Sequence, residues 1–381
     1  MNNHIVIAGI GQTAVSEHWE FSIRELAHFA LEAAIKDAGG LRPQALFVGN
    51  MLAPNISRQA HLGALIADFS GLIGIEAVSV EAAGASGGAA LRQGYLAVKS
   101  GMIDVALIIG VEKFTDMVDA GVEDALATAT DSDFEAVQGL TPTSQAAMLM
   151  RRYMHEFDIP ADGLAGFPVT AHANGVGNPN AMFQRAIKAE TYARAGMISE
   201  PLNMFDAAPT ADGAAAIILT RPELLPANFH HPLVRIAGSA STSGMLTLHD
   251  RRDPLSFDAA KRSVEEALQK AEVTREQISF FEYHDAYSIY AALSLEAAGF
   301  AERGKGWELA RDGEIALDGS IPCATMGGLK ARGFPGGATG VYQAVEAASR
   351  LRSTHETDEV ALIQSLGGPA STAVTHLLTT L

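Results

Sequence analysis

The stretch Val78-Ser-Val-Glu-Ala-Ala-Gly84-Ala-Ser86-Gly87-Gly88 joins a short apolar run to a cluster of small residues, and then to a helical pattern from Ala89 to Tyr95. Strand, tight turn and helix N-terminus in that order aim backbone N–H groups and the positive end of a helix dipole at one point, which suits an oxyanion. Covalent chemistry at such a turn needs a nucleophile, and the two candidate positions hold Gly84 and Ser86. Gly84-Ala-Ser86-Gly-Gly88 also fits Gly-x-Ser-x-Gly between a strand and a helix, the setting of a serine hydrolase nucleophile, but no Asp and His nearby give a partner signal. A second polar group, His284-Asp285-Ala-Tyr287, follows the apolar Phe280-Phe281-Glu-Tyr283, a placement that suits a cavity mouth.

These residues need a scaffold, and the chain describes one twice. Ser22-x-x-Glu25 is a capping box that opens a helix through Leu26, Ala30, Ala33 and Ala34, with Gly39 past its end and the strand Ala45-Leu-Phe-Val48 beyond. Leu31 to Ala38 followed by Phe47-Val48 is echoed by Val264 to Ala271 followed by Phe280-Phe281. Gly88 to Ser100 with Val105–Ile109 repeats as Gly337 to Arg350 with Val360–Ile363, each a glycine-rich turn, a helix and an apolar strand. The pattern is that of an internally duplicated α/β protein. Between the repeats, residues 114–205 match nothing; they carry an acidic run (Asp116, Asp119, Glu123, Asp124, Asp131, Asp133, Glu135), and a segment so long is expected to be a lid or binding subdomain. Gly9-Ile-Gly11 formally opens a dinucleotide fingerprint, but no helix follows, so a plain strand-to-loop turn is the expectation.

A chain of 381 residues with 48% hydrophobic content has ample material for real cores. Its net charge of −17 argues against a nucleic-acid or anionic membrane surface, so any anionic ligand must be held by local basic groups and helix N-termini. The single cysteine, Cys323, can form neither an internal disulfide nor a cysteine-rich metal site, and no signal-peptide layout or long apolar run is seen. A cytoplasmic protein with no metal and no tightly bound cofactor is expected.

Glu81 to Leu91, Asp206 to Ala216, His284 to Tyr287 and Gly327 to Gly340 together resemble the successive signatures of the thiolase superfamily, in family order, with most similarity to its archaeal and sterol-carrier-protein branch. The resemblance implies a duplicated thiolase fold, five layers α/β/α/β/α, with residues 1–113 and 206–225 as the N-terminal half and 226–381 as the C-terminal half. Residues 114–205 would be the loop domain that binds coenzyme A as part of the substrate. It further implies at least a homodimer.

The resemblance implies a nucleophilic cysteine where this chain has Gly84, an activating histidine where Gly333-Phe334-Pro335 stands, and a late cysteine at Ser365. An unactivated hydroxyl does not replace a thiolate at neutral pH, so thioester-exchange Claisen chemistry is not expected. What the resemblance leaves is a carbonyl-binding hole from the backbone of Gly84 and Gly367, and a second hole at His284. With Asp285, Tyr287 and Tyr342 as the remaining catalytic candidates, it implies a relative of thiolase-like aldolases, which perform retro-aldol cleavage of a β-hydroxyacyl-CoA and bind a small partner of zinc-ribbon/OB-fold type. The alternatives are an acetyl-CoA acetyltransferase-like acyltransferase and a non-catalytic acyl-CoA-binding scaffold. His172, Lys330 and Arg332 are candidates for substrate or coenzyme A contacts; for each a bland role stands beside it, structure for His172, solvated surface for Lys330 and Arg332, and core packing for Tyr342.

Overall fold

Strand, helix and strand alternate from the start: β1 (Val6–Gln12), α1 (Ile23–Asp37) and β2 (Ala45–Gly49). The computed structural model describes residues 4–118, 120–354 and 359–381, so Asp119 of the acidic run lies outside the described residues. Helix α1 begins at the expected capping box, the Glu25 carboxylate accepting the Ser22 N–H at 2.8 Å. β1 does not turn at Gly9-Ile-Gly11 but runs through it. Helix α1 lies directly on these glycines, and a Cβ at Gly9 would sit 2.1 Å from the Ala34 carbonyl oxygen. The motif serves close strand–helix packing.

The first half continues with α2 (Leu62–Phe69), β3 (Glu76–Val80), α3 (Ser86–Ser100) and β4 (Ala106–Glu112). The unmatched segment then supplies α4 (Ala120–Ala127), α5 (Pro142–Glu156), α6 (Gly166–Gly175), α7 (Ala189–Ala193), β5 (Met197–Ser199) and β6 (Leu202–Asn203). Strand β7 (Gly213–Thr220) returns to the first half. The second half comprises β8 (Val234–Ser243), α8 (Asp258–Ala271), β9 (Phe280–Glu282), α9 (Ser288–Ala298), α10 (Gly306–Arg311), α11 (Gly328–Arg332), α12 (Thr339–Ser353), β10 (Val360–Gly367) and β11 (Thr372–Thr380).

The main sheet runs β3-β2-β4-β7-β1-β8-β11-β10-β9. β2 is parallel to β3 and β4, β9 is parallel to β10, and the remaining pairs are antiparallel. Among the described residues the two half-sheets join through the short β1–β8 pairing at Val6/Arg235 and Ile7/Val234. Helices α3 and α12 pack on each other and on strands of both halves, while α1 and α2 cover one outer face and α8 and α9 the other. The result is the five-layer α/β/α/β/α stack.

Because α12 is sandwiched, every residue from Thr339 to Ala348 is buried. Leu91 and Val98 of α3 meet Val341 and Val345 of α12 in one core with Ile108 of β4 and Ile363 of β10. Each such side chain contributes about 1.5–3 kcal/mol when removed from water. That double burial holds the N-termini of α3 and α12 in place.

Candidate active site

β3 ends at Val80 and the chain turns through Ala83, at φ +50°, into a short 3₁₀ turn (Ala83–Ala85) that feeds α3. Ser86 closes this turn on itself: its Oγ donates to the Ala83 carbonyl at 2.6 Å and accepts the Ala82 N–H at 2.9 Å, and the residue is fully buried. Ser86 is therefore committed to the turn, which removes the hydrolase elbow as a reading. A Cβ at Gly84 would lie 2.7 Å from the Leu366 carbonyl oxygen, 3.0 Å from Cε1 of His284 and 3.3 Å from its Nε2. A Cβ at 84 would crowd the Leu366 backbone and the His284 imidazole.

Gly84 opens on a cavity of about 510 Å³. One wall is α4 and the start of α5, through Glu123, Leu126, Ala129 and Thr141 to Ser144; a second is Ile198-Ser199 with Ala207, Ala208 and Thr210. The second half contributes His284, Tyr287, Tyr290, Phe334, Leu366 and Gly368. Thr141 positions the α5 wall by accepting the Ser144 N–H, with Pro142 in the first turn of the helix.

His284 is the polar centre of this wall. Burial, with the positive charge of Arg332 second, pushes its pKa from 6.5 down to about 3, so the imidazole is neutral at physiological pH. Its Nδ1 is buried without a hydrogen-bond partner, and Phe334 packs edge-on against the ring with centroids 5.6 Å apart. Tyr287 Oη lies 3.0 Å from Thr143 Oγ1. Burial drives this phenol well above its ordinary pKa, so it is a neutral hydroxyl.

Comparison with known proteins gives this geometry a family. Residues 5–223 match the family described as thiolase, N-terminal domain, and residues 239–380 match the thiolase C-terminal domain-like family. The chain belongs to the thiolase superfamily. It is 40% identical over 380 residues to an acetyl-CoA acetyltransferase of Methanothermobacter thermautotrophicus, covering 98% of each chain. It is 28% identical over 358 residues to a steroid side-chain-cleaving aldolase of Thermomonospora curvata, covering 89% of this chain and 88% of that one. Among solved structures, an Ltp2-ChsH2(DUF35) aldolase aligns with a TM-score of 0.84 at 24% identity over 99% of this chain and 98% of that one.

Within this thiolase fold the candidate residues divide into three groups. Gly84, His284 and Tyr287 share the cavity; Gly367 is buried between its lining residues Leu366 and Gly368 without lining it. His172 and Lys330 line a neighbouring cavity of about 530 Å³, with Arg185, Met204 and Phe205, and the two cavities share Ala207 and Ala208 as a wall. His172 stacks on Phe183 and its Nδ1 lies 3.2 Å from the Arg185 carbonyl oxygen. The third group faces away from both cavities.

Lys330 and Arg332 are not surface residues; they are 2% and 1% exposed. Lys330 Nζ donates to the carbonyls of Phe205 and Asp206 at 3.3 and 2.8 Å, and burial lowers its pKa to about 8. Arg332 forms a buried ion pair with Glu346 and lies over the Tyr342 ring, which takes it out of reach of a phosphate. Tyr342 does not reach the cavity either: its hydroxyl sits 3.1 Å from Thr13 Oγ1 and donates to the Thr13 carbonyl at 3.2 Å. Asp285 Oδ1 accepts the Leu329 N–H at 2.7 Å and so fixes the start of α11. Ser365 is buried against Gly88, where a Cβ would fall 2.2 Å from its Oγ.

Cys323 is fully buried, its thiol donating to the Ile321 carbonyl at 3.1 Å, outside the cavity lining. Among the described residues no cluster of His, Cys, Asp and Glu is placed to hold a metal ion, and no helix is long and apolar enough to cross a membrane. Thr143 was not singled out from the sequence, and Glu123 stood there only as a member of the acidic run. Nothing local marks them, because the partner that gives them meaning, Tyr287, lies 144 residues from Thr143.

Proposed function

We propose that this thiolase superfamily member is an acyl-CoA carbon–carbon lyase that cleaves a β-hydroxyacyl-CoA by retro-aldol chemistry. The observation that carries the reading is the crowded space at Gly84: the nucleophile position has no side chain, Leu366 and His284 crowd its place, and the one thiol of the chain is sealed elsewhere. On this reading Gly84 stands where the family's nucleophilic cysteine would be. Phe334 stands in the cavity where the family motif carries its activating histidine, which removes the base along with the nucleophile.

Retro-aldol cleavage needs neither. It needs a proton acceptor for the β-hydroxyl and a hole for the thioester oxygen as negative charge develops. A neutral His284 carries one N–H beside Gly84, and a donor of this kind is worth about 3 kcal/mol of barrier in a water-poor site. Tyr287, from the same wall of the cavity, is the group for the β-hydroxyl. The Cα–Cβ bond breaks, its electron pair enters the thioester enolate, and the β-carbon leaves as an aldehyde or ketone. The second cavity, with His172, Arg185 and Lys330 beyond the shared alanines, gives the coenzyme A arm a route to the site. A homodimer and a small OB-fold partner belong to the same proposal.

The 40% identity to an acetyl-CoA acetyltransferase favours a second reading, acyl transfer. Assays with purified protein, alone and with an OB-fold partner, separate the two: aldehyde or ketone release from a β-hydroxyacyl-CoA is expected, with no thiolysis of acetoacetyl-CoA. Measurable thiolysis would sink the lyase assignment, and no turnover of either class would leave a scaffold.

A further inference from the structure

Among the described residues, Glu123 is the one acidic side chain lining the cavity. Thr143 Oγ1 donates to it, 3.4 Å from each carboxylate oxygen. A carboxylate only accepts, so the single Thr143 hydroxyl proton is committed towards Glu123. The contact between Thr143 and Tyr287, 3.0 Å long, then has one consistent polarity, with Tyr287 donating and Thr143 accepting. The Tyr287 proton is then directed at Thr143, and the lone pairs of its oxygen remain to accept a proton.

We propose that Glu123, through Thr143, makes Tyr287 the proton acceptor of the lyase reaction. The inference rests on the retro-aldol reading and adds the residue that takes the proton. As the β-hydroxyl proton moves to Tyr287 Oη, the tyrosine proton passes to Thr143 Oγ1 and the threonine proton to the Glu123 carboxylate. The electron pair of the broken O–H bond forms the new carbonyl, the Cα–Cβ bond breaks, and its pair enters the thioester. The tyrosine stays neutral throughout, consistent with a phenol that burial makes hard to ionise. Among the described residues the other titratable groups of the cavity do not compete: burial lowers the pKa of His284 to about 3 and so makes it a weak proton acceptor, and burial raises the Tyr290 phenol beside Tyr287 well above its ordinary value.

The test measures kcat and KM against pH for Glu123→Gln, Thr143→Val and Tyr287→Phe on a β-hydroxyacyl-CoA that the wild-type protein cleaves. Each change is expected to lower kcat by about 100-fold and to leave KM within about threefold, the double Thr143→Val/Tyr287→Phe being no worse than either single change. A kcat loss in Glu123→Gln that the double Glu123→Gln/Thr143→Val change does not deepen marks the carboxylate as the proton's destination. Wild-type kcat and profile in both Glu123→Gln and Thr143→Val, with Tyr287→Phe inactive, would overturn the relay and leave the retro-aldol reading standing. If the wild-type protein cleaves no β-hydroxyacyl-CoA, the retro-aldol reading fails and a readout without turnover decides the relay. With 3-fluorotyrosine placed at position 287, Thr143→Val and Glu123→Gln should each move its ¹⁹F resonance; an unmoved resonance in both overturns the contact chain.

Discussion

Two turns of the molecule start alike and end differently. The turn before α3 and the turn before α12 each pass through a short 3₁₀ segment, Ala83–Ala85 and Gly336–Ala338, into a helix of 15 residues. In each, the first helical hydroxyl closes the turn: Ser86 Oγ donates to the Ala83 carbonyl at 2.6 Å and Thr339 Oγ1 to the Gly336 carbonyl at 2.7 Å. The first turn then faces the cavity with Gly84. The second is gripped from within by Glu112, whose carboxylate accepts the N–H groups of Gly337, Met51 and Leu52 at 2.9, 3.0 and 3.1 Å. Duplication supplied two helix N-termini suited to an anion. One receives a carboxylate of the protein itself, and the other opens on the cavity.

The largest effect should come from breaking the grip on the second turn. Glu112→Ala strands the buried N–H groups of Leu52 and Gly337 and the half-buried one of Met51, and at about 1–3 kcal/mol for each buried group left unpaired is expected to cost at least about 3 kcal/mol in urea unfolding. A loss below about 1 kcal/mol would show that the second turn is not held by this carboxylate. Next in size is Gly84→Cys. Its Cβ must push against the Leu366 carbonyl at 2.7 Å, so a loss of about 1–3 kcal/mol and no thiolysis of acetoacetyl-CoA are expected. A Gly84→Cys protein of wild-type stability that thiolyses acetoacetyl-CoA would mean that the first turn lost only a side chain and was not rebuilt.

The smallest expected effect separates the turns by pH. His284, beside the first turn, has its pKa lowered from 6.5 to about 3, so its stabilising share is complete above pH 6.5 and lost as pH falls towards 3. Glu112, on the second, is raised by burial from 4.5 to about 7, so its share is complete below pH 4.5 and lost as pH rises through 7. Below pH 4.5 Glu112 is protonated in both folded and unfolded chains and adds no slope. In that range His284→Asn should remove up to about 1.4 kcal/mol per pH unit of acid destabilisation, read from urea midpoints. An unchanged slope would place the acid sensitivity elsewhere.

Much of the scaffold was legible because its signals are local. The Ser22 capping box, the helix at Asp258–Ala271 and the echo between Gly88–Ser100 and Gly337–Arg350 depend on neighbours within a few turns of chain. The site was legible only in part. His284 and Tyr287 were found because a motif carries both into one cavity, but Tyr342 and Arg332 were misplaced. On a helix sandwiched between two sheets every face is buried, so periodicity cannot say which way Tyr342 points, and the charge of Arg332 gives no hint of the Glu346 that pairs with it. Lys330 was equally opaque, since its partners are backbone carbonyls of Phe205 and Asp206 far away in the chain.

By itself, then, the sequence determined the duplicated α/β plan and the missing side chain at Gly84, because patterning and residue identity are written along the chain. Only the tertiary structure decided that Leu366 and His284 crowd that position, that Ser86 is tied into its own turn, and that Glu123 meets Tyr287 through Thr143. The contacts of Gly84 with His284 and Leu366, and of Thr143 with Tyr287, join segments more than a hundred residues apart, and only packing brings such segments within hydrogen-bonding range. The Ser86 contacts span four residues at most and turn on the backbone conformation at Ala83.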